Sequence, residues 1–230
     1  MPARARPANT FSVAHRNDRL VLYRDCRFQA SHVEPAPLVL RFLAELNRAA
    51  VAASPFFAVH AAVVGDDRRI LVIAADSGGG KSTLAGAFVH LGLRYGSDEA
   101  LCLDDQGFVV PYPKPINLNR WSWERLGLSP TDGFEQESPY PPAAFRAELL
   151  EKGRRPSDLL LPSFVDGEPS IEPLAPSSAV TALLQLSFNH YHDGPRAFRL
   201  STEAAQHMRV WKLGVGDPAA TAKLVTSTLP

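Results

Sequence analysis

Residues 70–92 read Ile-Leu-Val-Ile-Ala-Ala-Asp-Ser-Gly-Gly-Gly-Lys-Ser-Thr-Leu-Ala-Gly-Ala-Phe-Val-His-Leu-Gly. No other stretch constrains the fold as tightly. The apolar, partly β-branched run at residues 69–75 predicts a buried strand. Gly78, Gly79 and Gly80 let the backbone curl and turn its N–H groups toward an anion. Leu84, Phe88 and Leu91 put an apolar stripe on the helix expected next, and Gly92 ends it. At the helix start, Lys81 suits the β- and γ-phosphates of a nucleotide and the Ser82 hydroxyl suits Mg²⁺. The positive end of the helix faces the same anion. An ordinary strand-to-helix turn that needs glycine only for tightness is the plainer alternative. It leaves the Lys81-Ser82 pair unexplained. The general pattern has glycine where Ala75 stands.

The chain has 230 residues, 45% of them hydrophobic, enough for a real core in one large domain or two small ones. Lys and Arg total 24 against 24 Asp and Glu, which argues against a general nucleic-acid or membrane-surface binder. The cysteines, Cys26 and Cys102, have no metal-ligand spacing and point to a reducing, cytoplasmic setting. No apolar segment follows the first residues as a signal peptide requires, and no run is long enough for a membrane span.

Along the chain, residues 1–10 are expected to be a loose tail and residues 11–230 a single domain. Residues 11–15 and 20–23 suggest a hairpin around Asn17-Asp18. Residues 37–53 have helical spacing, with Leu38, Phe42, Leu43, Leu46 and Ala50 on one side. Residues 56–64 suit a strand. Residues 100–103 and 108–110, joined through Gly107, suggest a second hairpin. Residues 111–176 hold 12 of the 20 prolines, so this excursion is expected to be loops with short elements. Within it, residues 121–126 and 143–151 are candidate short helices. Residues 163–165 and 170–174 flank Asp166-Gly167 as a candidate hairpin. Residues 177–187 and 202–213 suit helices, and Asp217-Pro218 opens a last one. Strands and helices do not alternate one-to-one, so the expected class is α/β with an α+β tendency rather than a regular doubly wound sheet.

Two features flank the glycine loop. Asp98-Glu99 offers the carboxylates that a magnesium–nucleotide site needs, or a proton acceptor for an incoming hydroxyl. An exposed acidic turn is the alternative. His60 lies within the apolar run of residues 56–64, where a satisfied core or edge histidine is the commoner role.

The arrangement His60…Ala75-Asp76-Ser77-Gly78-Gly79-Gly80-Lys81-Ser82…Ser97-Asp98-Glu99 resembles the catalytic domain of HPr kinase/phosphorylase. That family has a histidine, a Gly-Asp-Ser-Gly-x-Gly-Lys-Ser loop and an Asp-Asp pair at the same offsets. Pro111-Tyr112-Pro113-Lys114-Pro115 is similar to a proline-rich stretch of HPr-kinase-related proteins. The likeness covers about residues 56–116. It implies a P-loop in a mixed, twisted sheet like that of phosphoenolpyruvate carboxykinase. It also implies that Asp98 is the base, that His60 orients or tunes it, and that Glu99 replaces the second aspartate. Residues Asp76, Ser77, Gly78, Gly79, Gly80, Lys81, Ser82 and Thr83 would hold the nucleotide, with Ser82 and Glu99 at the metal. The chain departs from the family at Ala75 and at Thr83, where the bacterial enzyme has Glu. It also lacks the Glu-x-Arg-Gly-Leu-Gly signature of the bifunctional enzyme.

The leading expectation is a kinase moving the γ-phosphoryl of ATP or GTP, with Mg²⁺, to a serine-type hydroxyl of a protein, peptide or small molecule. The alternative is a nucleotide-binding regulatory or assembly module. No nucleic-acid or membrane partner is expected, and a homo-oligomer is left open. Phosphoryl transfer usually uses a further cation. Lys114, Arg120, Arg154 and Arg155 are the candidates, Lys114 first, because flanking prolines stiffen its backbone.

Overall fold

The structure is a computed structural model describing residues 9–229. The chain divides into two compact units, one running through Ala53 with Asp132–Phe134, the other holding Ser54–Thr131 and the chain from Glu135 onward.

The first unit is a three-stranded antiparallel sheet of β1 (Phe11–Arg16), β2 (Arg19–Arg24) and β3 (Arg27–His32), followed by helix α1 (Pro35–Ala52). Both turns use paired left-handed residues, Asn17-Asp18 (φ 48° and 57°) and Asp25-Cys26 (φ 48° and 63°). Such turns match the twist of the strands they join. The first was legible in the sequence. β3 was not, because Phe28 and Ala30 are the only apolar residues in Arg-Phe-Gln-Ala-Ser-His, too few to mark a strand. Of the expected tail, residues 1–8 lie outside the described residues, and Asn9 and Thr10 are tied down. Arg24 donates twice to Asn9 Oδ1 (2.9 and 2.7 Å), and the Thr10 N–H donates to Asp25 Oδ1 at 2.8 Å. α1 buries one charge, Glu45, against Arg41 (2.7 Å) and Arg48 (2.8 Å).

The second unit is α/β, built on a seven-stranded mixed sheet. β4 (Phe57–Gly65) runs antiparallel to β5 (Ile70–Ala74). Helix α2 (Lys81–His90) follows β5, and then come the short strands β6 (Arg94–Ser97) and β7 (Ala100–Leu103). Both pair with β4, β6 on its C-terminal half and β7 on its N-terminal half. The proline-rich stretch contributes β8 (Ile116–Asn119), α3 (Arg120–Arg125), β9 (Glu137–Tyr140), a single 3-10 turn at Pro142–Phe145 and β10 (Asp158–Phe164). The chain ends with β11 (Ser170–Leu174), α4 (Ser177–Gln185), α5 (Gly194–His207), β12 (Arg209–Val215) and α6 (Pro218–Thr228). The strand order is β11-β12-β10-β5-β4-β6, with β5, β10 and β12 mutually parallel.

β5 is buried on both faces. Leu71 and Ile73 join Leu84 and Phe88 of α2 and Val225 of α6, while Ile70 and Val72 join Leu183 of α4 and Leu200 of α5. A strand covered on both sides reads as a continuous apolar run, which is why it was legible. Asp158 pins the parallel pair β10–β12. Its fully buried carboxylate accepts from Arg209 (2.8 and 3.0 Å), the Trp211 indole (2.9 Å) and the Ser157 hydroxyl (2.9 Å).

Residues 108–110 return antiparallel beside β7 as expected, through Asp104 N–H to the Phe108 carbonyl (3.0 Å), Val110 N–H to the Cys102 carbonyl (2.9 Å) and the Leu103–Val109 bridge. Three expectations need correction. Residues 143–151 form no helix beyond the 3-10 turn, because Arg146 is left-handed (φ 53°) and stops it. β10 and β11 are not a hairpin, since β12 lies between them and pairs with both. The helix expected over residues 202–213 stops at His207, and Arg209–Val215 is instead a strand. Among the described residues no helix is long and apolar enough to cross a membrane.

Candidate functional site

The glycine loop leaves the C-terminal end of β5 and delivers the chain into α2. Gly80, the residue before the helix, is left-handed (φ 83°), as is Gly78 (φ 82°). The Gly79 N–H donates to the Asp76 carbonyl at 3.0 Å, tightening the turn. A Cβ on Gly79 would stand 2.5 Å from the Ala75 methyl. The alanine at the loop entry is therefore accommodated by the missing side chain of Gly79.

Lys81 is buried, and its ammonium folds back to donate to the Ala75 carbonyl (2.8 Å) and the Asp76 carbonyl (2.9 Å). Burial pushes its pKa down, opposed by Glu99, Asp76 and Asp98. The Ser82 hydroxyl has no hydrogen-bond partner among the described residues. Thr83 turns away from the loop: its hydroxyl sits 2.7 Å from that of Ser122, which itself donates to Asn119 Oδ1 at 2.8 Å. Thr83 thus tethers α2 to the start of α3. Asp76 and Ser77 are exposed on the loop.

Asp98 and Glu99 occupy the corner between β6 and β7. The Ser97 hydroxyl fixes that corner by accepting from the N–H groups of Glu99 (3.1 Å) and Ala100 (3.0 Å). The Asp98 side chain is 1% exposed. Its Oδ1 receives the Lys114 ammonium at 2.9 Å and the Tyr95 hydroxyl at 3.1 Å, and the Asn117 N–H approaches Oδ2 at 3.4 Å. Lys114 also lies 3.7 Å from Glu99 Oε2. Tyr95 is completely buried, with its hydroxyl 2.9 Å from the Lys114 carbonyl as well. Burial, with Asp98 beside it, pushes the phenol pKa far up, so this hydroxyl stays a donor.

His60 faces the corner from β4, in register with Ala100 of β7. The carboxylate nearest its Nε2 is Glu99, at 4.0 Å, while Asp98 acts on it only through its charge. The side chains that hold Asp98 are Lys114 and Tyr95. The His60 ring lies 5.4 Å from Phe188. Burial, then the charge of Lys81, lowers its pKa, with Asp76 and Asp98 pulling the other way. The lowered pKa favours the neutral imidazole at pH 7.

The structure therefore draws Lys81, His60, Asp98, Glu99 and Lys114 into one electrostatic neighbourhood beside the glycine loop. The three arginines engage other partners. Arg120 is exposed and paired with Glu124 on its own helix at 2.8 Å. Arg154 donates to the Asp66 carbonyl in the β4–β5 turn, at the opposite end of β5 from the loop. Arg155 stacks on Phe108, 5.0 Å from the ring centre. Backbone bonds from Ser157 N–H to the Ile70 carbonyl (2.9 Å) and from Val109 N–H to the Arg154 carbonyl (2.8 Å) hold that segment in place.

Sequence reasoning missed Tyr95, Ser97 and Asn117. Tyr95 had a weak signal, a tyrosine three residues before an acid pair. Asn117 had none, because it acts through its backbone. The site combines a glycine-rich turn at a helix start, two ammonium groups and a buried carboxylate. No protein-family model matches the chain, and no curated protein matches it.

Proposed function

We propose that the chain is a kinase that moves the γ-phosphoryl of a nucleotide to a serine-type hydroxyl, in the manner of the HPr-kinase-like enzymes that its motifs resemble. The glycine loop is then a P-loop, and its sheet is of the phosphoenolpyruvate carboxykinase type. The observation that carries the reading is Asp98, a carboxylate withdrawn from water, aligned by Lys114 and Tyr95, and within charge range of Lys81. An anion-binding turn alone would need no such group.

Phosphates seated on the N–H groups of Gly78–Lys81 compete with the Ala75 and Asp76 carbonyls for the Lys81 ammonium. Lys81 then neutralises charge on the transferring group. An acceptor hydroxyl reaching Asp98 gives its proton to the carboxylate as its oxygen bonds to phosphorus and the bond to the nucleotide diphosphate breaks. Tyr95 keeps the Asp98 oxygens oriented. The released Lys114 ammonium faces the same phosphoryl oxygens, supplying the second cation. Among the described residues no three His, Cys, Asp or Glu side chains form a metal cage. A magnesium ion bound with a nucleotide needs only one or two protein ligands; Glu99 and the Ser82 hydroxyl, which has no hydrogen-bond partner among the described residues, would hold it. When bound, the ion spreads the charge developing between the β- and γ-phosphates.

A regulatory nucleotide-binding module is the second reading. It is favoured by the Lys114 ammonium lying on Asp98, where the acceptor must arrive. Titration calorimetry with Mg·ATP, together with mass spectrometry of serine-containing acceptors, separates the two. The kinase requires that binding falls in Lys81→Ala, and that transfer falls in Asp98→Asn while binding stays. Tight binding with no transfer to any acceptor or to water leaves the regulatory module. Absence of binding refutes both.

A further inference from the structure

We infer that Phe164 is the platform for the nucleobase, which makes the site one for an aromatic nucleotide rather than for any polyphosphate. The inference rests on the proposed function and adds the part of the ligand that the loop itself does not read.

Phe164 is the last residue of β10, and it is 62% exposed. Its ring does not point away from the molecule. Cζ and Cε1 lie 3.3 and 3.6 Å from where a Cβ on Gly80 would stand, so the phenyl edge rests on the glycine that opens α2. The alternation of β10 agrees, since Leu160 faces the core that holds α2, and Phe164 shares its side of the strand.

An apolar ring has nothing to offer a phosphate. It does offer a flat face to a base, and every base has a π-face to stack on it. Sheet order gives the direction. Asp98 hangs from the strands on the β4 side of β5, and Phe164 stands on β10, the neighbour on the other side. A phosphate chain on the loop with its terminal phosphoryl toward Asp98 therefore sends its other end toward β10. There Phe164 is the exposed ring that it meets. The alternative platform, Trp121 on α3, already carries the Arg125 guanidinium 5.6 Å from its ring centre.

The test compares Mg·ATP with Mg·tripolyphosphate, which has the phosphates and no base. Calorimetry on the wild-type chain, Phe164→Ala and Phe164→Trp supplies the affinities, and thermal melts check that each variant folds. Base stacking removed by alanine costs affinity by about five- to a hundred-fold. Phe164→Ala is expected to lose that much for Mg·ATP and less than about two-fold for Mg·tripolyphosphate, and Phe164→Trp is expected to restore Mg·ATP binding. Equal losses for both ligands mean that the ring serves only the loop, and overturn the inference. Unchanged ATP affinity in Phe164→Ala also overturns it, as does an ATP-only loss in Trp121→Ala. Failure of the wild-type chain to bind either ligand overturns the proposed function as well.

Discussion

Gly79→Ala isolates the loop geometry from the chemistry. Gly79 does not need a left-handed backbone, so alanine there meets only a space problem. The new methyl would stand 2.5 Å from the Ala75 Cβ and 3.1 Å from the Asp76 carbonyl oxygen. Ordinary carbon–carbon contact is about 3.5–4.0 Å, so the loop must give by about 1 Å. Overpacking of this kind costs about 1–3 kcal/mol. For a folded unit of this size each kcal/mol lowers Tm by about 2–4 °C, so the expected loss is about 2–12 °C. Ala75→Gly removes the atom that the methyl strikes. The double variant Ala75→Gly/Gly79→Ala is therefore expected to recover part of the loss, with a coupling of about 0.5–3 kcal/mol. Thermal and urea unfolding followed by circular dichroism, on the wild-type chain, both singles and the double, measure that coupling. Additive losses, with no recovery in the double, would refute the idea that Gly79 makes room for Ala75.

Asp98→Asn is expected to keep nucleotide affinity within a few-fold and to slow transfer by roughly 10²–10⁴, the range for a general base; lost affinity with full turnover at saturation would make Asp98 a metal ligand instead. Asp158→Asn strands its donors between β10 and β12. Losing one partner of a buried ion pair costs about 3–5 kcal/mol, discounted here to about 1–3 because Arg209 is 43% exposed; an unchanged urea midpoint would show that the pair does not hold the strands. His60 has a folded pKa below its ordinary value of 6.5, so the unfolded chain takes up its proton first as pH falls. The stability it contributes is full above pH 6.5 and is lost as pH falls through the lower folded value. His60→Asn is expected to flatten the unfolding free energy across that window, and an identical pH slope in the variant would remove His60 as the source.

How much was legible depended on whether the signal was local. Asn17-Asp18, Asp217-Pro218 and the glycine loop each set a backbone conformation by themselves, and each stands where expected. The three-layered burial of β5 was visible because both of its faces are apolar. β12 was hidden because its polar residues, Arg209 and Lys212, break the alternation that marks a strand. What makes it one is β10 and β11, whose positions depend on the whole sheet. The same holds at the site. Asp98 and Lys81 sit beside recognisable neighbours in sequence, whereas Lys114 is carried to Asp98 by the bond from the Tyr112 N–H to the Gly96 carbonyl of β6. Arg154 and Arg155 were attractive for their charge, but the backbone bonds that carry them to the far end of β5 leave no trace in composition.

β12 has a consequence for how the molecule is made. It slots between two strands that precede it in the chain, and β11 has no other strand partner among the described residues. As synthesis proceeds from the N-terminus, β10 can join β5 early, but its other edge waits for residues 209–215. Until they emerge, β10 presents an open row of backbone donors and acceptors, and β11 has nowhere to pair. Open edges of that kind recruit strands from other chains. A nascent chain stalled before Arg209 is thus poised to aggregate, and protection of the β10 edge during translation falls to whatever binds unfinished chains.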